Sequence, residues 1–288
     1  MGTQSFVKDI ATGPHLVRTN ARLATITQAA LICAPPLAGW AAGLLSAPTV
    51  LLVMAAGYLW SAVWLSTITS SEYAATYADQ SPRSLLREIR EGLAFVAREP
   101  VLRTVATAGS MVNIGIAGAM TLLPVLTLKH LGWSQGQFGT FLGAGGVGGL
   151  IGALSAVRLA TAWGAGRAVL VVGIAVGPLA FALPLLGRPV PGVVAAVGWG
   201  LVLFKVGFDS VLMMTFRQQV TPAGLLARVN GVMRVAFTGA VVLGAAAAGT
   251  LAATLGIRWA LAAAATCLAC VWIPIALSPL RRMSILSR

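Results

Sequence analysis

Apolar residues run through this chain in long blocks, and polar residues gather between them. Cutting the sequence wherever charge, proline or glycine clusters interrupt the blocks leaves eight stretches: 24–45, 49–69, 104–128, 138–159, 168–187, 193–214, 232–255 and 257–278. Each is close to the roughly 20 residues a helix needs to cross a bilayer. Nothing alternates with the period of a strand, which argues against a β-barrel. The pattern predicts an all-α integral membrane protein with eight transmembrane helices. The opening residues, MGTQSFVKDIATGPHLVR, lack an apolar core and do not read as a signal peptide. Only residues 70–103 form a long polar segment. Ser71–Pro82 is linker-like, and after it Leu85, Leu86, Ile89, Leu93 and Val96 recur at helical spacing with Arg87, Glu88, Arg90, Glu91 and Arg98 on the other face. Capped by Ser84, such a helix would lie along the cytoplasmic membrane surface and join two halves of the protein.

Composition agrees with the blocks. Hydrophobic residues make up 58% and charged residues 9%, with a mean hydropathy of +0.88, whereas an ordinary soluble domain is about 25% charged. The net charge of +13 raises the question of nucleic acid, and its placement answers it. Of the 20 Lys and Arg, 16 fall before the first span, after the last, or in alternate connections and the span ends beside them; Lys129, Arg188 and Arg258 fall towards the opposite side and Lys205 lies deep within a span. Cytoplasmic connections hold the excess of basic residues. The basic charge therefore reports topology, with both termini cytoplasmic, and no nucleic-acid partner is expected.

Lys205 and Asp209 are the charges inside the span 193–214. A charge at that depth costs roughly 2.5 to 3.5 kcal/mol on insertion scales, so it usually faces protein or a water-filled path. At i and i+4 the two share a helix face. They are either an ion or substrate site or a self-neutralised pair that lets the helix insert. Their order, Lys before Asp, is the less favourable one for a helical pair, which weakens the second reading slightly. Asn113, amid Gly109, Gly115 and Gly118, either bonds across helices or lines a cavity, and Trp199, Met213 and Met214 offer a soft apolar wall or simply pack. No other acid lies in any span and no histidine does, so catalysis has almost nothing to work with. Cys33, Cys267 and Cys270 read as buried thiols, with His15 and His130 in flanking loops; neither a metal site nor a cofactor is expected. Gly143-Ala-Gly145-Gly-Val-Gly148 fits a dinucleotide fingerprint, but inside a membrane helix it overlaps Gly145-x-x-x-Gly149 and Gly148-x-x-x-Gly152, the spacing for close helix packing.

Two segments repeat. Ala11-Thr-Gly-Pro-His-Leu-Val-Arg18, followed by Asn20 and Arg22, parallels Thr221-Pro-Ala-Gly-Leu-Leu-Ala-Arg228, followed by Asn230 and Arg234; the offset is 210 residues, and six helices separate the copies. Six-helix repeats about an axis along the membrane normal build one large class of secondary transporter. On that reading the third to eighth helices form a complete half, and the first two are the end of another half whose first four helices lie outside this chain.

The sequence resembles a family at this point. Leu85-Leu-Arg-Glu-Ile-Arg-Glu-Gly-Leu-Ala-Phe-Val-Ala-Arg-Glu-Pro-Val-Leu102, the Arg-x-Asn repeat, Thr215-Phe-Arg-Gln218 with Thr221-Pro222, and Ser278-Pro-Leu-Arg-Arg282 are similar to the drug and siderophore efflux branch of the major facilitator superfamily, which includes the enterobactin exporter and macrolide efflux permeases. The resemblance covers nearly all of the chain. It implies the last eight helices of a twelve-helix inner-membrane exporter, proton-driven, that expels amphipathic small molecules. The domains would be 1–70 (the end of the N-terminal bundle), 71–100 (the linker) and 101–288 (the C-terminal six-helix bundle). Gly152 to Arg158 followed by Gly164-Ala-Gly166-Arg167 resembles the second copy of the family's Gly-rich basic loop, without its usual acid. Arg158, Gly164, Gly166 and Arg167, with Arg18, Asn20, Arg228 and Asn230, are the expected gating-loop residues; Lys205, Asp209, Asn113, Trp199 and Met213 are the expected coupling or cavity residues. The other reading is a partner-dependent, non-transporting subunit of a split transporter, completed by a separate N-terminal half.

Overall fold

A computed structural model describes residues 34, 37–41, 44–45, 47–66, 85–187 and 191–283. The expected span 24–45 falls largely outside these residues. Arg18, Asn20, Ser71–Pro82, Ser84, His15, Cys33 and Arg188 lie outside them altogether.

The described residues are helical: α1 Ala47–Ser66, α2 Leu85–Arg98, α3 Pro100–Pro124, α4 Gln135–Trp163, α5 Ala165–Val176, α6 Gly192–Val220, α7 Leu226–Leu255, α8 Ile257–Ala269 and the short α9 Trp272–Ala276. With their irregular extensions, α3, α4, α5, α6, α7 and α8–α9 are long and apolar enough to cross a membrane. They cover the expected spans from 104–128 to 257–278. α1 overlaps the expected span 49–69 as far as Ser66, with a shorter apolar run, Pro48–Trp64, and 67–69 lie outside the described residues.

Local chemistry sets the helix ends. Pro100 occupies the first turn of α3, where its missing N–H costs nothing, and Glu99 caps it by accepting from Val101 N at 3.5 Å. Ser134 and Gln137 form a reciprocal capping box at α4, with bonds of 3.1 and 2.8 Å. Gly164 (φ 81°) and Gly256 (φ 92°) make the sharp α4–α5 and α7–α8 joints in a backbone region that a side chain disfavours.

The bundle is built from two intimate pairs. α4 packs most extensively on α6, and α3 on α7, with α8 covering α3 and α7. The α4–α6 contact is made backbone to backbone. A methyl group at Gly148 would land on the Gly200 carbonyl, one at Gly152 on the Phe204 carbonyl and one at Gly207 on the Gly149 carbonyl. The dinucleotide-like glycines are therefore a packing surface, as their spacing predicts. Two apolar clusters fill the bundle. One contains Leu102, Ala156, Phe208, Phe216, Met233 and Ile275, and the other Leu123, Phe141, Leu186, Trp199 and Leu261.

Several helices run further than the apolar blocks. α6 continues to Val220 and α7 begins at Leu226, so Arg217, Arg228, Asn230 and Arg234 lie on helices rather than in the connection between them. A helix end that meets polar neighbours continues past the last apolar residue, and the hydrophobic pattern alone does not register that.

Candidate functional site

Asp209 stands at the centre of the site. It lies in the third turn from the end of α6, 7% exposed, and one of its carboxylate oxygens, Oδ2, accepts from Nζ of Lys205, itself 4% exposed. Lys205 reaches its partner from beside Gly173 of α5. The other oxygen, Oδ1, is buried with no hydrogen-bond partner among the described residues. A buried charge left partly unsatisfied is costly, and such groups mark places where something else is meant to bind or move.

In front of Asp209 is a cavity of about 380 Å³ between α3 and α6, lined also by Phe237 of α7 and Val271. Its wall is mainly apolar. Asn113, Asp209, Met213 and Arg217 also line it. Asn113 donates from Nδ2 to Gly109 O at 2.8 Å, within its own helix, rather than bonding across to a neighbour. Of the expected cavity residues, the structure thus brings together Asp209, Asn113 and Met213, with Lys205 behind the carboxylate. Trp199 is elsewhere. Fully buried, it stacks on Phe141 at 6.0 Å, and its indole occupies the notch that Gly145 leaves open. It packs the second apolar cluster and does not line the cavity.

Arg217 is the residue the loop-by-loop charge count placed in a connection. It falls at i+4 from Met213 and i+8 from Asp209 on the same stripe of α6, about 12 Å along the axis at 1.5 Å per residue. Its Nη2 donates to Met214 Sδ at 2.8 Å, and its Nε has no partner among the described residues. The signal was available in the four-residue spacing Lys205, Asp209, Met213, Arg217.

The expected gating residues divide between two places. Gly164 and Gly166 form the α4–α5 joint. There Gly166 N donates to Met283 O at 3.0 Å, and a side chain at Gly166 would strike Leu280 O. The joint is therefore clamped by the 3₁₀ turn Pro279–Arg282 that follows α9. Arg158 and Arg167 project from it, exposed. The second place is the start of α7. Arg228 donates from Nη1 to Glu91 Oε2 at 2.7 Å and from Nη2 to Glu88 Oε1 at 3.3 Å, while Gly92 lets α2 approach the Arg228 backbone. The face of α2 that the pattern assigned to solvent is in part a docking face. Asn230, two residues on, has its Oδ1 buried with no hydrogen-bond partner among the described residues.

Residues 1–238 match the Major Facilitator Superfamily. The chain belongs to that superfamily. No curated protein and no solved structure matches the chain. Membership makes it a multi-pass membrane protein and a secondary transporter, not an enzyme. The matched region takes in α1 to α6 and the start of α7, so both walls of the cavity that carry Asn113 and Asp209 lie within it.

Proposed function

We propose that this transporter exports amphipathic small molecules of the drug- and siderophore-efflux type, coupled to protons, from the cytoplasmic side of a bacterial-type inner membrane. Its termini both lie on the cytoplasmic side in this reading. The six-helix bundle 101–288 rocks against a second bundle to which 1–70 contributes, and 71–100 is the linker between them. The observation that carries this reading is the apolar cavity with Asp209 on its wall. Apolar walls of Val105, Val112, Ile116 and Phe237 suit the body of an amphipathic molecule, and Met213 and Met214 adapt to its shape. The resemblance in the linker helix and in Thr215 to Gln218 supports the efflux branch, and the alternation of basic residues supports the orientation.

Asp209 is the coupling residue in this mechanism. A proton arriving on its carboxylate breaks the pair with Lys205, and that discrete rearrangement biases one packing of the bundle over another. The closed joint at Gly166 and the Arg228 contacts with α2 are the cytoplasmic elements that would rearrange as the bundle rocks.

The test is accumulation of a fluorescent amphipathic substrate in cells expressing the protein and its Asp209→Asn variant. Loss of a coupling carboxylate should cut the efflux rate about tenfold or more, equivalent to at least about 1.4 kcal/mol of barrier, and flatten its pH dependence. Unchanged efflux with unchanged pH dependence would remove Asp209 from the mechanism.

A further inference from the structure

We infer that the cavity is selective for amphipathic anions and that Arg217 is the group that recognises them. The inference rests on the transport reading above and narrows its substrate class. Two charged side chains line the cavity, Asp209 and Arg217. The charge of Asp209 is already matched by Lys205 behind it. Arg217 has no such match among the described residues. Its polar contact is a thioether sulfur, its Nε has no acceptor, and it forms no ion pair.

The four described acids are all engaged elsewhere: Glu88 and Glu91 with Arg228, Glu99 with the N-terminus of α3, and Asp209 with Lys205. Among the described residues, the cavity and the Lys205 behind it therefore carry one net positive charge, that of Arg217, set where α6 nears its end. A guanidinium keeps that charge at any physiological pH and presents a planar fork that fits carboxylate, sulfonate or phosphate. The apolar wall takes the rest of the ligand, and the axial distance from Arg217 to Asp209, about two helical turns, sets the room for it. A cationic amphiphile of the same shape would meet repulsion instead.

Two fluorescent probes of similar body and opposite charge, dansylglycine and dansylcadaverine, test this on the purified 288-residue chain in uncharged detergent. Dansylglycine should bind about tenfold or more tighter, the size of one charge-assisted bond. Arg217→Gln should remove the preference, and Arg217→Lys should keep part of it. Met213→Trp, which fills the cavity and leaves its charge alone, should weaken both probes and so keeps the test valid where an Arg217 variant folds poorly. Equal binding of the two probes, tighter binding of the cation, or a preference that survives Arg217→Gln would overturn the assignment. Repeating the titration in nanodiscs separates a soluble anion from a lipid headgroup. Dansylglycine affinity should be the same in phosphatidylcholine with and without phosphatidylglycerol, and displacement by phosphatidylglycerol would overturn the soluble-substrate assignment in favour of an anionic lipid. Loss of the anion preference with Asp209-dependent efflux intact removes this inference alone and leaves the transport reading standing.

Discussion

Asp209 and Lys205 each make sense only in the presence of the other. Both are almost fully buried, and removing one partner of a buried pair typically costs about 3 to 5 kcal/mol because the remaining charge is stranded, whereas replacing both by apolar residues is often tolerated. Lys205→Met should therefore lower the melting temperature of the purified protein more than the double change Lys205→Met with Asp209→Leu. A double variant less stable than the single one would mean that the pair is held by more than mutual neutralisation. The pair itself was legible in the sequence, because any charge inside an apolar block is conspicuous. Arg217 was legible only through its four-residue spacing from Met213, because counting basic residues by connection assumes that they sit between helices. Trp199 was misleading for the opposite reason: a large aromatic near a charged pair is equally suited to a cavity wall and to a packed layer. Only the notch at Gly145 decides between them.

At the scale of elements, backbone approach and a small charged cluster hold the bundle in register. At Gly148 and Gly152 the α6 carbonyls leave no space for a methyl group, and backbone cannot yield as a flexible side chain can. Gly152→Ala should destabilise the protein by about 1 to 3 kcal/mol, the usual range for overpacking. Gly249→Ala in α7, where nothing lies within 4 Å, should be neutral or slightly stabilising; thermal melting of the two variants side by side checks both. The cluster at α2 is partly exposed, so each of its ion pairs contributes at most about 1 kcal/mol. Arg228→Ala should leave the bundle folded yet raise amide exchange across 85–98 several-fold. Glu88 and Glu91 replaced by Arg, combined with Arg228→Glu, should restore part of the protection. Exchange that is unchanged in Arg228→Ala would show that apolar contacts alone seat the helix.

The spans themselves were readable because a bilayer demands long uninterrupted apolar helices. The amphipathic period of α2 was readable too. Its docking partner was not, since the periodicity of one helix says which residues share a face but not what that face meets. Glu88 and Glu91 could equally have faced water.

Across the whole molecule, membership in the Major Facilitator Superfamily makes alternating access the function to be explained, and the internal repeat of Arg18-x-Asn20 and Arg228-x-Asn230 points to two related bundles. Under the proposed function, the cavity between α3 and α6 would be the half-site contributed by this bundle, with Asp209 as its coupling group. Inverted membrane vesicles containing the protein, alone or co-expressed with any hydrophobic spans encoded immediately upstream, would turn the proposed export into uptake in a form where the proton gradient is under control. Uptake of a fluorescent amphiphile such as dansylglycine after an imposed inward-acid pH jump is the most direct measurement. Gradient-driven uptake is expected in the wild type, collapsing with a protonophore and falling to background in Asp209→Asn. Uptake that persists in Asp209→Asn and ignores the gradient would contradict it.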